Sequence, residues 1–210
     1  AAGRIRTLPP GELLARLDDR FQLLQSRDPV ENRRDRTLEA AIEWSWELLD
    51  DRQRDVLRQT TVFRGGFSLR AAEAVLELDD AGWVGDLLES LVRKSLLYSE
   101  PSRADAGRVR FRLYESIRAY IEQTDGSPSE ALRDRHADHY ADAGDTWARN
   151  LDTEDDENAL ARLRQESSNL EAAFDASLER TPRRAAELGL ILDRLLRLAG
   201  PLSTHATVVE

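Results

Sequence analysis

The sequence predicts a mainly α-helical protein with one small β-hairpin, and three observations predict it. Between Asp50 and Gln123 the apolar pattern changes character in order, reading helix, helix, helix, strand, basic turn, strand, helix. Beyond Thr124-Asp125-Gly126-Ser127-Pro128-Ser129, a run of linker residues, every apolar repeat has helical spacing. Strand-type alternation is confined to two short runs around residues 100–107. The first of these orders is the plan of a winged helix-turn-helix. The expected organisation is therefore a helical segment over residues 1–36, a winged helix over 37–124 and a helical-repeat region over 125–210.

Composition narrows the function classes. There is no cysteine, which excludes disulfides, thiolate zinc sites and cysteine nucleophiles. There is no methionine either, at position 1 or elsewhere, so the chain reads as a piece of something longer. No apolar run approaches the ~18 residues of a membrane span, and no signal-peptide pattern opens the chain, so the expected location is cytoplasmic, without membrane contact. The net charge of −10 belongs to the C-terminal half, because residues 125–179 hold 15 acidic and 5 basic side chains. That half repels a phosphate backbone, and the rest has no net field to attract one.

In chain order, Leu13, Leu14 and Leu17 share one face of a short helix over Glu12–Leu17. Residues 25–36 are polar with Pro29 and read as a surface loop. Thr37 is placed to cap a helix carrying Leu38, Ala41, Ile42, Trp44, Trp46, Leu48 and Leu49. The two tryptophans fall on different faces and read as core anchors against different neighbours.

Asp50 is a good cap for a helix over Asp51–Thr60, with Gln53 completing a capping box and Val56 and Leu57 turned inward. Arg64-Gly65-Gly66-Phe67 reads as a tight corner, and Ser68 as the cap of a helix running to Leu78. Trp83, Val84, Leu87, Leu88, Leu91 and Val92 mark the buried stripe of the helix in the recognition position. Its outer face carries Asp86, Glu89 and Ser90, where a major-groove reader needs arginine, lysine, asparagine or glutamine.

Ser95–Ser99 and Arg108–Tyr114 are the expected wing strands. On the second, Arg108, Arg110 and Arg112 alternate with Val109, Phe111 and Leu113. That reads either as a solvated arginine face over an apolar one or as a contact for an acidic partner. Glu115–Gln123 closes the module as a helix. Beyond the linker, Leu132, His136, Tyr140, Ala143 and Trp147 trace one helix stripe, and Asp152–Glu157 forms an acidic loop. Ala159, Leu160 and Leu163, then Leu170, Ala173, Phe174, Ser177 and Leu178, mark two more helices. Thr181-Pro182 opens a last one. Successive amphipathic helices with short turns suggest the start of a TPR-like α-solenoid.

Motifs for chemistry are missing. No P-loop pattern and no G-x-S-x-G occur, and the lone Lys94 follows arginine rather than glycine. His136 and His139 sit three apart, which is at most half a metal site and more simply a solvated helix face with His136 partly buried. No enzyme is expected in these residues, and no cofactor or metal site.

A set of ordered motifs does resemble a known family. Arg16-Leu-Asp-Asp-Arg-Phe21, Arg36-Thr-Leu-Glu-Ala-Ala-Ile-Glu-Trp-Ser45, Val62-Phe-Arg-Gly-Gly-Phe67, Leu91-Val-Arg-Lys-Ser-Leu96, Phe111-Arg-Leu-Tyr-Glu-Ser-Ile-Arg-Ala-Tyr120 and Ser168-Asn-Leu-Glu-Ala-Ala-Phe174 are similar to a block in large bacterial regulators of the STAND class. These carry an NB-ARC-like ATPase and occur among SARP-type and LuxR-type transcription activators. The resemblance implies the end of an ATPase helical lid, then a winged helix, then a tetratricopeptide-like sensor array for an effector or protein. It implies ATP or ADP on an upstream domain of the same protein, with the winged helix holding the resting state rather than reading DNA. Where relatives place Met-His-Asp after the wing, with the histidine facing the ADP phosphate, this chain has Leu113, Tyr114 and Glu115. The expected contacts are thus Tyr114 and Glu115 on the nucleotide side and Arg108, Arg110 and Arg112 toward a partner. The alternative is a DNA-binding winged helix of a transcription factor, which the wing arginines and Lys94 favour.

Overall fold

The structure is a computed structural model that describes residues 29–78, 82–153 and 156–199. The helix expected over Glu12–Leu17 lies outside the described residues. Helix α1 (Pro29–Glu47) begins inside the expected loop, so that loop is corrected to helix from Pro29 onward, and Thr37 lies within the helix rather than at its start. Proline suits the first helical position, where its missing N–H has no bond to make, and the charged residues after it favour helix without showing an apolar period.

Helix α2 (Asp51–Gln59) opens on the capping box read from the sequence. The Gln53 N–H donates to Asp50 Oδ1 at 2.8 Å and the Asp50 N–H to Gln53 Oε1 at 3.3 Å. A 3-10 turn (Thr60–Val62) then leads to Gly65 and Gly66, whose φ angles of 73° and 98° are closed to most residues. The corner feeds a strand the sequence did not announce, β1 (Phe67–Ser68), since two residues show no alternation. Ser68 caps α3 (Leu69–Val75) by accepting the Ala71 N–H at 3.1 Å. This helix ends at Val75 rather than Leu78. The Gln59 side chain draws the chain off there, accepting the Glu77 N–H and donating to the Glu77 carbonyl, each at 2.8 Å.

Helix α4 (Val84–Arg93) buries Val84, Leu88 and Leu91. Trp83, expected in that stripe, is instead the residue before the helix, 52% exposed, with its indole N–H on Glu73 at 2.9 Å. Its ring folds back over Gly85, where a Cβ would lie 2.7 Å from it. The reading of both α1 tryptophans as core anchors is also corrected. Trp46 packs edge-on against Tyr120 and under the Arg58 guanidinium, but Trp44 is 64% exposed.

Past α4, Ser95 takes φ 59°, its N–H bonds the Val92 carbonyl and that of Leu96 bonds Leu91. This Schellman closure delays the first wing strand by two residues. Strand β2 is therefore Leu97–Pro101, and β3 is Val109–Leu113. The sheet has the antiparallel order β1-β3-β2, with Phe67 opposite Phe111 and Leu97 opposite Leu113.

Helix α5 (Glu115–Thr124) closes this part, and its buried Arg118 donates to the Thr61 carbonyl and, at 2.7 Å, to that of Phe63. After the linker come α6 (Glu130–Asn150), capped by Ser129, then α7 (Asp156–Gln165), α8 (Ser167–Ser177) and α9 (Pro182–Ala199). Helices α6, α8 and α9 pack on one another, α7 lies against α6, and α3 and the 3-10 turn sit on α6. One apolar core runs without a break from Ile42 of α1 to Leu195 of α9. The fold is mainly helical with a small three-stranded antiparallel sheet. Among the described residues no helix is long and apolar enough to cross a membrane.

Candidate functional site

Strand alternation turns Phe111 and Leu113 into the core and sends Arg110 and Arg112 to the other face of β3. The solvated arginine face read there needs correction, because α7 and α8 cover part of it. Arg110 is only 2% exposed, and both its terminal nitrogens engage the Glu166 carboxylate at the α7–α8 junction. It also donates to the Gly66 carbonyl at 2.8 Å. Of its neighbours, Arg112 pairs with Glu100 across the hairpin at 2.7 Å, and Arg108 is exposed. The structure therefore does not bring the three arginines together as one surface.

Asn169, fully buried in α8, completes the junction. Its amide donates to the Gly66 carbonyl and to Glu166, each at 2.8 Å, and its carbonyl accepts the Arg64 N–H at 2.6 Å. The same oxygen lies 3.3 Å from His136 Nε2. Since Asn169 must present its NH2 to two acceptors, that oxygen is fixed, and His136 is the donor with its proton on Nε2. Burial pushes the His136 pKa down to about 4, against the Asn169 hydrogen bond, with His139 and Arg64 adding to the fall. The Gly65–Gly66 corner is thus held by α8 from one side and by β3 from the other. A Cβ on Gly66 would lie 3.0 Å from the Phe111 carbonyl, so the approach requires glycine.

The wing turn is tied down as well. Gln165, the last residue of α7, accepts the N–H groups of Arg103 at 2.8 Å and Ala104 at 3.2 Å. Arg162 grips Asp105 through Nε at 3.0 Å and Nη2 at 2.8 Å.

Tyr114 and Glu115 sit at the start of α5, beside a cleft of about 160 Å³ also lined by Gly65, Gly66, Arg112 and Arg118. Tyr114 is 41% exposed, its ring 4.8 Å from that of Tyr98, and no side chain caps the helix. Glu115 lies 3.6 Å from Arg118.

The face a groove reader would use is different. Helix α4 exposes Asp86, Glu89 and Arg93, with Arg93 3.7 Å from Glu89. Lys94 turns away, donating to the Leu48 carbonyl at 2.9 Å and to Gln53 at 2.8 Å. His136 and His139 do not converge with carboxylates, and among the described residues no group of three or more His, Cys, Asp or Glu is placed to hold a metal.

Residues 49–126 match a family model described as a winged helix-turn-helix domain. These residues form a winged helix-turn-helix domain. The chain is 37% identical over 186 residues to proteins named "Putative HTH-type transcriptional regulator" from Mycobacterium tuberculosis H37Rv and from Mycobacterium bovis. Each match covers 85% of this chain and 20% of the relative. An uncharacterized protein of M. tuberculosis H37Rv is 36% identical over 145 residues, covering 66% of this chain and 36% of its own. The chain thus spans about one fifth of the length of the first relatives it matches. No solved structure matches it.

Sequence reasoning missed Glu166, Asn169 and Gln165, the residues that hold the winged helix against the helical region. One signal was available. Glu166 and Asn169 occupy the same helical stripe as Ala173 and Ser177, and a carboxylate and an amide on a buried stripe need partners from elsewhere.

Proposed function

We propose that this chain is the winged-helix segment of a transcriptional regulator and that it works without catalysis of its own. The docked wing carries the finer reading. Gln165 and Arg162 hold the wing turn, and Glu166 neutralises Arg110 in the interior, so the wing is engaged by its own chain. That supports a module which passes the state of one neighbouring domain to another. With the resemblance to STAND regulators, it supports a winged helix set between an upstream nucleotide-binding domain and a TPR-like sensor array, at work in the cytoplasm. The cleft at Tyr114 and Glu115 fits this in part. Its ~160 Å³ is below the ~300 Å³ at which ligand pockets begin, so it suits a phosphate edge presented by another domain rather than a whole nucleotide. No side chain caps the start of α5, the end of the helix dipole that favours such an oxygen. Arg118 is already committed to the Thr61 and Phe63 carbonyls.

A second reading is direct DNA contact, favoured by the winged helix-turn-helix match and by the names of the relatives. Arg103 and Arg108 in and beside the wing turn are its exposed cations. Gel retardation and anisotropy across a salt series separate the two. The first reading expects weak binding to duplex DNA, unchanged in an Arg103→Ala, Arg108→Ala variant. A salt slope that shrinks by about 2 in that variant would give the wing to DNA.

A further inference from the structure

Between the wing turn, the start of α3 and the facing surfaces of α6 and α7 lies a cavity of about 320 Å³, twice the volume of the cleft at Tyr114. Four arginines line it, Arg70, Arg108, Arg110 and Arg162, against two carboxylates, Asp105 and Glu166. Both carboxylates are already engaged, Asp105 by Arg162 and Glu166 by Arg110. The remaining charge is positive, with Arg70 and Arg108 at the exposed mouth. Trp147 and Ala143 supply an apolar wall.

Two buried polar groups line this cavity without a well-formed hydrogen bond, the Arg110 Nε–H and the Tyr140 hydroxyl, whose neighbour is the Glu166 carboxylate. Tyr140 is 1% exposed. Leaving such groups unpaired costs about 1–3 kcal/mol each, and native structures spend this where a ligand or an ordered water completes the site. Water occupies ~30 Å³ per molecule, so one water at Tyr140 would leave most of the space over, whereas ligand sites start near ~300 Å³.

From the weakly held Tyr140 hydroxyl, the excess of arginine and the tryptophan wall, we infer that this cavity binds a small organic anion, an oxyanion head group on a flat apolar body. The head group lies toward Arg70 and Arg108 and accepts the Tyr140 O–H, while the body lies along Trp147. Such a ligand touches the wing turn and the α6–α7 surface at once and so strengthens the docking of the wing. The site stands independently of how the winged helix itself is used.

The test is isothermal titration of the chain with phenyl phosphate, benzoate, inorganic phosphate and, as the neutral control, benzyl alcohol. Phenyl phosphate is expected to bind with a Kd below about 1 mM and tighter than inorganic phosphate, while benzyl alcohol does not bind. Arg108→Ala is expected to weaken it at least about tenfold and Tyr140→Phe about three- to tenfold. Both variants keep the fold, because Arg108 is exposed and the Glu166 carboxylate beside Tyr140 keeps its bonds to Arg110 when the hydroxyl is removed. Amide exchange at residues 102–108 slows on binding. No binding by any of the three anions, equal binding by benzyl alcohol, or affinities unchanged in both variants would each overturn the site.

Discussion

The wing and helix α4 belong to the same winged helix but meet their surroundings in opposite ways. The wing sends Arg110 into the interior and gives its turn amides to Gln165, so its polar groups are consumed within the chain. Helix α4 turns Asp86, Glu89 and Arg93 to solvent, with no other element packed over them among the described residues. In a DNA reader both elements would present cations outward. Here the basic element is docked and the free element is acidic, which separates the fold from the use its name suggests. The difference also marks where stability is stored, in a polar junction that ties the winged helix to α7 and α8.

The strongest way to break that contrast is to remove the counter-charge. Glu166→Ala leaves the Arg110 guanidinium buried beside only the Gly66 carbonyl, and it strips one acceptor from Asn169. The expected loss is about 3–5 kcal/mol, the cost of an uncompensated buried charge. Arg110→Met with Glu166→Leu should recover much of it. Urea unfolding of the three proteins measures both, and a loss under ~1 kcal/mol for Glu166→Ala would mean that water reaches the pair.

The next effect is in pH. His136 has an ordinary pKa near 6.5 and a folded value of about 4, set by burial. The unfolded chain therefore takes up a proton between these values that the folded chain refuses. Stability is complete above about pH 6.5 and falls as pH drops toward 4, by up to roughly 3 kcal/mol. Burial lowers the His139 pKa too, which acts in the same sense. Unfolding curves over this range should fall less steeply for His136→Asn than for the parent. Parallel curves would place the acid sensitivity outside the junction.

Much of the winged helix was legible because its signals are local. The Asp50–Gln53 box, the Ser68 cap and the alternation along β3 each lie within a few residues and predict what the structure has. The failures follow from reach. Arg110 and Glu166 are 56 residues apart, and nothing near either names the other. Trp83 and Trp44 fell on apolar periods, but periodicity cannot tell whether a neighbour exists to bury a ring. The start of α1 was lost for the converse reason, since a helix without an apolar stripe has no period to read.

A smaller change sharpens the wing's side of the contrast. Gln165→Ala removes the acceptor shared by the Arg103 and Ala104 amides, both near the surface, and is expected to cost about 0.5–1.5 kcal/mol. Its local signature matters more than its size. Amide exchange at residues 103–105 should quicken while α4 exchange keeps pace with global stability. If instead all amides shift together, the wing is not a separately held element.

The smallest effect concerns the free face of α4. Asp86 stands in the first turn, where a carboxylate gains a few tenths of a kcal/mol from the helix dipole, and Glu89 makes an exposed i,i+4 pair with Arg93. Asp86→Asn with Glu89→Gln is expected to change stability by less than about 1 kcal/mol, since both side chains are solvated. The same double change makes α4 neutral to basic and offers amides to base edges, removing what repels the major groove. DNA affinity then reports on the geometry alone. If the docked wing keeps the module off the duplex, affinity stays at the non-specific level after the charges are gone. If a sequence-selective complex forms, repulsion by two carboxylates was the only obstacle, and α4 is a recognition helix held in check by its own charge.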